Sequence, residues 1–414
     1  MAGRLRIVND NVEKVQNEIQ SPLNRPVGLC LSGGGSRAIA FHLGCLRALN
    51  GRGILSKVDV MSTVSGGSVI GAMYAYSDDS FDDFDLRVQD VLRRGFVKSI
   101  ARQMFLSPIG LRIASTKLIA GSMALATSML RTSVGVVERL IPRTTRAYVR
   151  YSDRIQPPLR RWASRTTAFE AALASRLFGD QQISSTRRGN INTVINACEL
   201  RTGTAFRFGS RESGTWRFGT LETNDVSVAL AVAASAAYPA LLPAIDRFFA
   251  FNPIGGDKTH NHRVILTDGG VYDNLGVTCM EPGKDARYST NVYAPDYIIC
   301  CDAGPGQFDD TPHPYGWGTR MKRSFGATFR QVQTSTQSRL HQWREHERIK
   351  GFVYAYLGQQ DRRLPRTPED FVPRERVVNY PTDFSPMPDA DTAALSKRGE
   401  QLTNLLVELH CSNL

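Results

Sequence analysis

Three short strings in this chain hold residue types whose spacing suits acyl transfer. Ser65 lies in Ser62-Thr63-Val64-Ser65-Gly66-Gly67, after an apolar run and before a run with helical spacing. A serine attacks an acyl group when its hydroxyl is exposed on a sharp turn, a base takes its proton, and aimed N–H groups hold the oxyanion. The usual strand-to-helix elbow reads Gly-x-Ser-x-Gly. Here Gly67 fills the last position, but Thr63 stands in the first. The second string, Ser32-Gly33-Gly34-Gly35-Ser36-Arg37, opens a helix. Consecutive glycines bring the backbone close to a bound group, and a helix N-terminus adds partial positive charge. The third is Thr267-Asp268-Gly269-Gly270, directly after the apolar run Val264-Ile265-Leu266. A carboxylate at the end of a strand sits where α/β enzymes keep their sites.

Taken singly, each string is ordinary turn chemistry. The glycine loop would also suit a nucleotide phosphate. However, the chain has no Gly-x4-Gly-Lys-Ser/Thr, and Ala38 occupies the place where Gly-x-Gly-x-x-Gly needs its last glycine. No histidine is marked as a third catalytic member: His42 reads as packed on the helix after the glycine loop, and His260 and His262 as solvated in a polar loop. No metal is expected, because His260-x-His262 lacks a third ligand and no Asp-x-Asp-x-Asp-Gly loop is present. No cofactor is implied. Asp273 and Asp302 read as loop braces.

In their order along the chain, the strings resemble the patatin-like phospholipases. The resemblance is carried by Ser32-Gly33-Gly34-Gly35-Ser36-Arg37, by Val64-Ser65-Gly66-Gly67-Ser68, by Ser235-Ala236-Ala237-Tyr238-Pro239 continuing to Pro243, and by Asp268-Gly269-Gly270. The first two are also similar to cytosolic phospholipase A2. The resemblance covers about residues 26–76 and 190–303. It implies a three-layer α/β/α fold with a mostly parallel central sheet, and a Ser65–Asp268 dyad without histidine. Gly34 and Gly35 would donate to the oxyanion, with Gly33 shaping the turn and Arg37 steadying the substrate phosphate or the loop. It further implies hydrolysis of a phospholipid or lysophospholipid ester. A thioesterase, acyltransferase or other esterase with the same dyad, or an effector switched on by a partner, are the alternatives.

The elements that must position these residues follow from apolar periodicity. Val27–Leu31 and Val58–Val64 read as buried strands, with helices over about 38–49 and 69–76. Strands recur at 191–197, 264–266, 297–301 and 352–357, and helices at about 226–237, 321–348 and 391–409. This alternation is that of a parallel α/β sheet. The expected organisation is a polar leader at 1–25, then one acyl hydrolase domain at 26–414 with a basic helical insertion at about 78–185.

The net charge of +12 is concentrated in that insertion. Residues 93–176 carry sixteen Lys and Arg against Glu138, Asp153 and Glu170, leaving the remainder near neutral. Arg mixed with Leu, Ile, Met and Phe over 93–178 suggests peripheral contact with anionic lipid. Basic and aromatic residues are not interleaved as in a stacking module, so no nucleic-acid partner is expected. The longest uncharged apolar run, Leu118–Leu130, is too short to span a bilayer. Seven scattered cysteines with no Cys-x-x-Cys suit a reducing compartment, and the first 26 residues lack an apolar signal core. The expected location is the cytoplasm, with peripheral membrane contact. Oligomeric state is not legible.

Overall fold

A computed structural model describes residues 27–140, 151–189, 191–239, 241–256, 258–306, 313 and 315–414. The leader assigned to 1–25 lies outside these residues. Two strands and two helices open the fold: β1 (Val27–Leu31), α1 (Gly35–Gly51), β2 (Val58–Val64) and α2 (Gly66–Ala75). After a helical segment come β3 (Asn192–Glu199), β4 (Thr204–Gly209), β5 (Ser213–Thr215), β6 (Gly219–Leu221), α8 (Val228–Ser235), β7 (Ile245–Asn252) and β8 (His260–Asp268). A one-turn helix α9 (Gly270–Asp273), β9 (Tyr297–Asp302), α10 (Trp317–Glu345), β10 (Gly351–Tyr356) and α11 (Asp389–His410) complete it.

All ten strands join one sheet, in the order β10-β9-β1-β2-β3-β4-β5-β6-β7-β8. The β10-β9-β1-β2-β3 half is parallel. From β3 onward every pairing is antiparallel. The sheet is therefore mixed, which corrects the expectation of a mostly parallel one. The reason is connection length: β3 turns into β4 through the four residues Leu200-Arg201-Thr202-Gly203, with Gly203 at φ 67°, and a connection that short joins only antiparallel neighbours.

Side chains in the parallel half alternate between two cores. Leu29, Met61, Ile195 and Ile299 face one, packed under α1, α2, α8 and α11. Cys30, Val60, Val194 and Ile298 face the other, beneath Leu275–Met280 and Leu340 of α10. Burial on both faces explains why these strands read as continuous apolar runs. Close helix contact is permitted by two glycines. A Cβ on Gly44 of α1 would stand 1.7 Å from the Ser396 carbonyl of α11, and one on Gly399 would stand 2.2 Å from that of Phe41. The proline-rich connection before α11 is held by fully buried Arg398, which donates to the carbonyls of Leu357, Val372 and Gln359 and to Asp361. All seven cysteines are free and buried.

Between α2 and β3 the described chain is helical: α3 (Phe81–Arg94), α4 (Val97–Phe105), α5 (Pro108–Ser115), α6 (Ser122–Leu140) and α7 (Arg165–Leu173). Acidic residues open α3. Ser80 caps it by accepting from the Asp83 N–H, Asp82 and Asp83 lie in its first turn, and Arg93 and Arg94 in its last, so both ends suit the helix dipole. A π turn at Thr116–Gly121 links α5 to α6, making one continuous helix of 33 residues, Pro108–Leu140. By length and composition alone this helix is long and apolar enough to cross a membrane. The uncharged run by itself had suggested otherwise.

Candidate active site

Ser65 and Asp268 come together because two strands meet head-on along one edge of β3. On the far edge, β4 pairs with β3 from Val194 to Glu199. On the near edge, β2 runs parallel to β3 and ends with Val64 opposite Asn196, while β8 runs antiparallel and ends with Asp268 opposite Ala197. Each strand must break away where the other arrives. The residues at the break are Ser65 and Asp268.

Ser65 itself turns the chain, at φ 51° and ψ −116°, and α2 begins at the next residue. A non-glycine residue there stores about 1–3 kcal/mol of strain, kept only where surrounding contacts hold it. Those contacts are specific. The Ser65 N–H donates to Ser235 Oγ at 3.0 Å, and Ser68 Oγ lies 2.8 Å from the same oxygen. The backbone carbonyl of Ser235 meanwhile accepts from Gly269 N–H at 3.2 Å. Ser235 thus ties the serine turn to the Asp268 turn. The sequence marked Ser235 only as part of a motif and assigned it no role. Ser235→Ala leaves the buried Ser65 N–H without its acceptor. We expect about 1–3 kcal/mol lower stability, read from a urea midpoint, and about tenfold slower turnover through a loosened elbow.

Thr63, the departure from the elbow signature, is accommodated rather than tolerated under strain. Its Oγ1 accepts from Ser68 at 3.1 Å. A Cβ on Gly71, one turn into α2, would stand 2.5 Å from Thr63 Cγ2, so the missing side chain at Gly71 makes the room.

The glycine loop lies directly against the serine turn. A Cβ on Gly33 would sit 3.2 Å from Ser65 Cβ, and one on Gly66 would sit 2.3 Å from the Gly35 carbonyl. Gly34 at φ 145° and Gly35 at φ 58° adopt backbone conformations that favour glycine. Neither N–H has an acceptor among the described residues. The N-termini of α1 and α2, at Gly35 and Gly66, therefore face the same space, which favours negative charge there.

Asp268 is buried, and the Ser65 hydroxyl is within hydrogen-bonding reach of its carboxylate. Loss of water pushes its pKa from 3.8 up to about 6, against the opposing pull of Ser65 and of the Gly270 N–H, which donates to Oδ1 at 2.7 Å. Asn274 bridges the two loops: its carbonyl accepts from Gly33 N–H at 3.2 Å, and its side chain lies against Gly33 and Gly270. Sequence reasoning missed it, since an Asn beside Asp-Gly-Gly carries no signal of its own.

Arg37 is buried, with Nε on the Ala303 carbonyl and Nη1 on that of Tyr380, both at 3.0 Å. Burial holds its pKa down to about 10 despite nearby Asp302. These contacts fasten the glycine loop to its neighbours. Asp273 accepts from the N–H groups of Gly276 and Thr278, and Asp302 from Gly304 N–H and the Tyr354 hydroxyl; both brace loops, as read from the sequence. Ser32 Oγ accepts from Ala303 N–H.

His42 is fully buried and bonded to the Ser32 carbonyl at 2.9 Å rather than to Ser65. His260 and His262 depart from the loop expected for them. They begin β8, and the His262 ring stacks on Phe218 with centroids 4.4 Å apart. Pairing with β7 and this stacking outweigh the local polarity of the segment. Among the described residues, no three His, Cys, Asp or Glu side chains cluster as metal ligands.

Ser65, Asp268 and the three glycines open on a cleft of about 190 Å³, walled by Leu241, Leu242, Phe329 and Phe384. The arrangement brings a serine on a strained turn, a buried carboxylate and N–H groups without an acceptor among the described residues into one place.

Comparison with known proteins shows the family. The model of the family described as patatin-like phospholipase matches residues 29–278. No curated protein sequence matches. Similar solved structures include human GIVD cytosolic phospholipase A2, at 13% identity and TM-score 0.49, covering 92% of this chain and 58% of that one. VipD from Legionella pneumophila aligns at 15% identity and TM-score 0.38, covering 93% and 67%. ExoU from Pseudomonas aeruginosa, solved in complex with SpcU, aligns at 14% and 0.27, covering 92% and 52%. Over such low identities and scores the neighbours carry no argument about activity. The sequence match does carry one, because it spans more than half of the chain and includes both Ser65 and Asp268: this chain belongs to the patatin-like phospholipase family.

Proposed function

We propose that this chain is a serine lipid acyl hydrolase that cleaves the acyl ester of a phospholipid or lysophospholipid through a Ser65–Asp268 dyad. The observation that carries this reading is the Ser65 hydroxyl, on a strained turn, within reach of a buried carboxylate with a pKa of about 6. A free aspartate, near ~3.9, is a weaker base, and burial supplies the difference.

In the reaction, Ser65 Oγ attacks the ester carbonyl carbon while Asp268 takes the hydroxyl proton. The N–H groups of Gly34 and Gly35 stabilise the oxyanion, aided by the two helix N-termini. The C–O bond to the leaving alcohol breaks, Asp268 returns the proton to that oxygen, and the acyl group stays on Ser65. Water then attacks the acyl-enzyme with Asp268 again as base, releasing the fatty acid and restoring the serine. Arg37 acts by positioning the glycine loop. Leu241, Leu242, Phe329 and Phe384 receive the acyl chain.

The test is a fluorophosphonate probe, which phosphonylates an activated serine. Mass spectrometry should find the adduct on Ser65, with a matching loss of phospholipid hydrolysis. Labelling elsewhere, or hydrolysis that survives full labelling of Ser65, would refute the reading. The pH profile follows from the same group: the base must be ionised, so turnover rises from acid through about pH 6 and then levels. A profile flat from pH 5 to 8 would exclude Asp268 as the base.

A further inference from the structure

The helical segment leaves an unusual surface. Helix α6 buries none of its residues. Leu118, Leu125, Met129, Val137 and Leu140 are all more than half exposed, and Phe105 and Leu106, at the end of α4, are each 79% exposed. Contiguous apolar surface of this kind marks an interaction site. Leu106 also lines the rim of a groove of about 800 Å³ formed with Arg93, Arg94, Lys98, Arg102 and Arg176. Arg93 pairs with Asp389 and Arg94 with Asp90. Arg176 donates to the Gly95 carbonyl and Ser99. Lys98 and Arg102 are exposed and have no carboxylate partner among the described residues. A basic groove therefore adjoins an apolar ridge.

We propose that this face docks on an anionic bilayer. The groove takes lipid headgroup phosphates, while Phe105, Leu106 and the exposed side of Pro108–Leu140 enter the hydrocarbon boundary. The charges are complementary, and each cation near such a surface strengthens binding. The docked face also shares a wall with the cleft. Pro386 lines the groove, and Thr382 and Phe384 line the cleft. Between them, the Asp383 carbonyl accepts from Ser36 N–H, and the Phe384 carbonyl accepts from Phe96 N–H. Docking here brings bilayer lipid beside the glycine loop, an advantage that rests on the acyl hydrolase reading.

The helix lies in the interface rather than crossing it. The uncharged run Leu118–Leu130 has thirteen residues and spans about 20 Å, against about 30 Å of hydrocarbon. Beyond it, Arg131 pairs with Asp153 and Glu138 accepts from Ser152, so Ser152 and Asp153 lie back against the helix.

Binding is read on the full chain carrying Ser65→Ala, so that vesicles stay intact. Co-flotation with phosphatidylcholine vesicles is compared with the same vesicles containing phosphatidylserine. Stronger partition to the anionic vesicles is expected, weakening with salt. Adding Lys98→Ala and Arg102→Ala should lower anionic-vesicle binding roughly twenty-five-fold, at about a fivefold loss per cation. Phe105→Ser with Leu106→Ser should weaken binding to both kinds. These side chains are exposed, so unchanged unfolding temperatures are expected and exclude misfolding as the cause. Equal binding by the parent and the Lys98/Arg102 variant would overturn the proposal, as would no partition at all. Retention after alkaline extraction would replace it with a membrane-crossing helix. If the unmutated chain hydrolyses no ester, the proposed activity falls while the docking result stands.

Discussion

Asp268→Asn is expected to abolish turnover while making the protein more stable at neutral pH. Two effects of one buried carboxylate produce this. In the proposed reaction it is the base that accepts the Ser65 proton; an amide cannot, and replacing an acidic catalytic member by its amide costs about 10⁴-fold in turnover. Ser65→Ala should lose at least as much, since nothing else in the cleft offers a nucleophile on the strained turn. As a buried charge, Asp268 weakens the fold. Its folded pKa of about 6 is raised above the unfolded ~3.9, so the folded state holds the proton more tightly. The stability this proton linkage confers is fully present below pH ~4 and is lost as pH rises through about 6, a change of about 3 kcal/mol. Asn carries no charge, so the variant should unfold a few degrees higher than the parent near pH 7.5 and match it near pH 4. Calorimetry at the two pH values checks the sign. A variant less stable than the parent at both would show that the carboxylate is held mainly by its hydrogen bonds.

Gly35→Ala is expected to be nearly as damaging to catalysis, and destabilising as well. Gly35 has φ 58°, and a Cβ there would stand 2.6 Å from the Asp383 carbonyl and 2.7 Å from that of Thr382. Both neighbours are backbone, so the added methyl forces the glycine loop to move instead of a side chain to rotate. The φ strain alone is worth about 1 kcal/mol or more. Moving the loop misdirects the Gly34 and Gly35 N–H groups, and losing one oxyanion donor costs about 10²–10³-fold in turnover. The measurement is kcat against KM on a fluorogenic phospholipid. An oxyanion defect lowers kcat with little change in KM; a rise in KM alone would mean that the loop binds substrate without stabilising the transition state.

Strands β1, β2, β3 and β9 were legible because each is buried on both faces, and β10, at the sheet edge, because Phe352-Val353-Tyr354-Ala355 is apolar even though its burial alternates. The antiparallel strands β4 to β7 were not. Their sequence mixes polar and apolar residues, as in Phe206-Arg207-Phe208 and Asp246-Arg247-Phe248, with Arg207 buried and donating to Ser289 and Thr290. A buried arginine whose Nη atoms are bonded looks like a surface residue until its partners are known. His260 and His262 were misplaced for the same reason. Local polarity suggested a loop, whereas pairing with β7 makes a strand.

The candidate site divides the same way. From its sequence alone, this protein declares a serine in a glycine turn, a glycine loop before a helix, and an Asp-Gly-Gly about two hundred residues on, because turn geometry and helix initiation restrict residue type locally. What only the tertiary structure decides is that β2 and β8 end against each other on β3. That meeting sets the Ser65 hydroxyl beside Asp268, makes Ser235 the tie between them, and lets Gly71 make room for Thr63. It also sets Arg37 against the Ala303 and Tyr380 carbonyls, contacts that suit the loop-steadying one of the two roles expected for it. These outcomes depend on contacts between residues far apart in the chain, and local residue preferences do not encode the distances that create them.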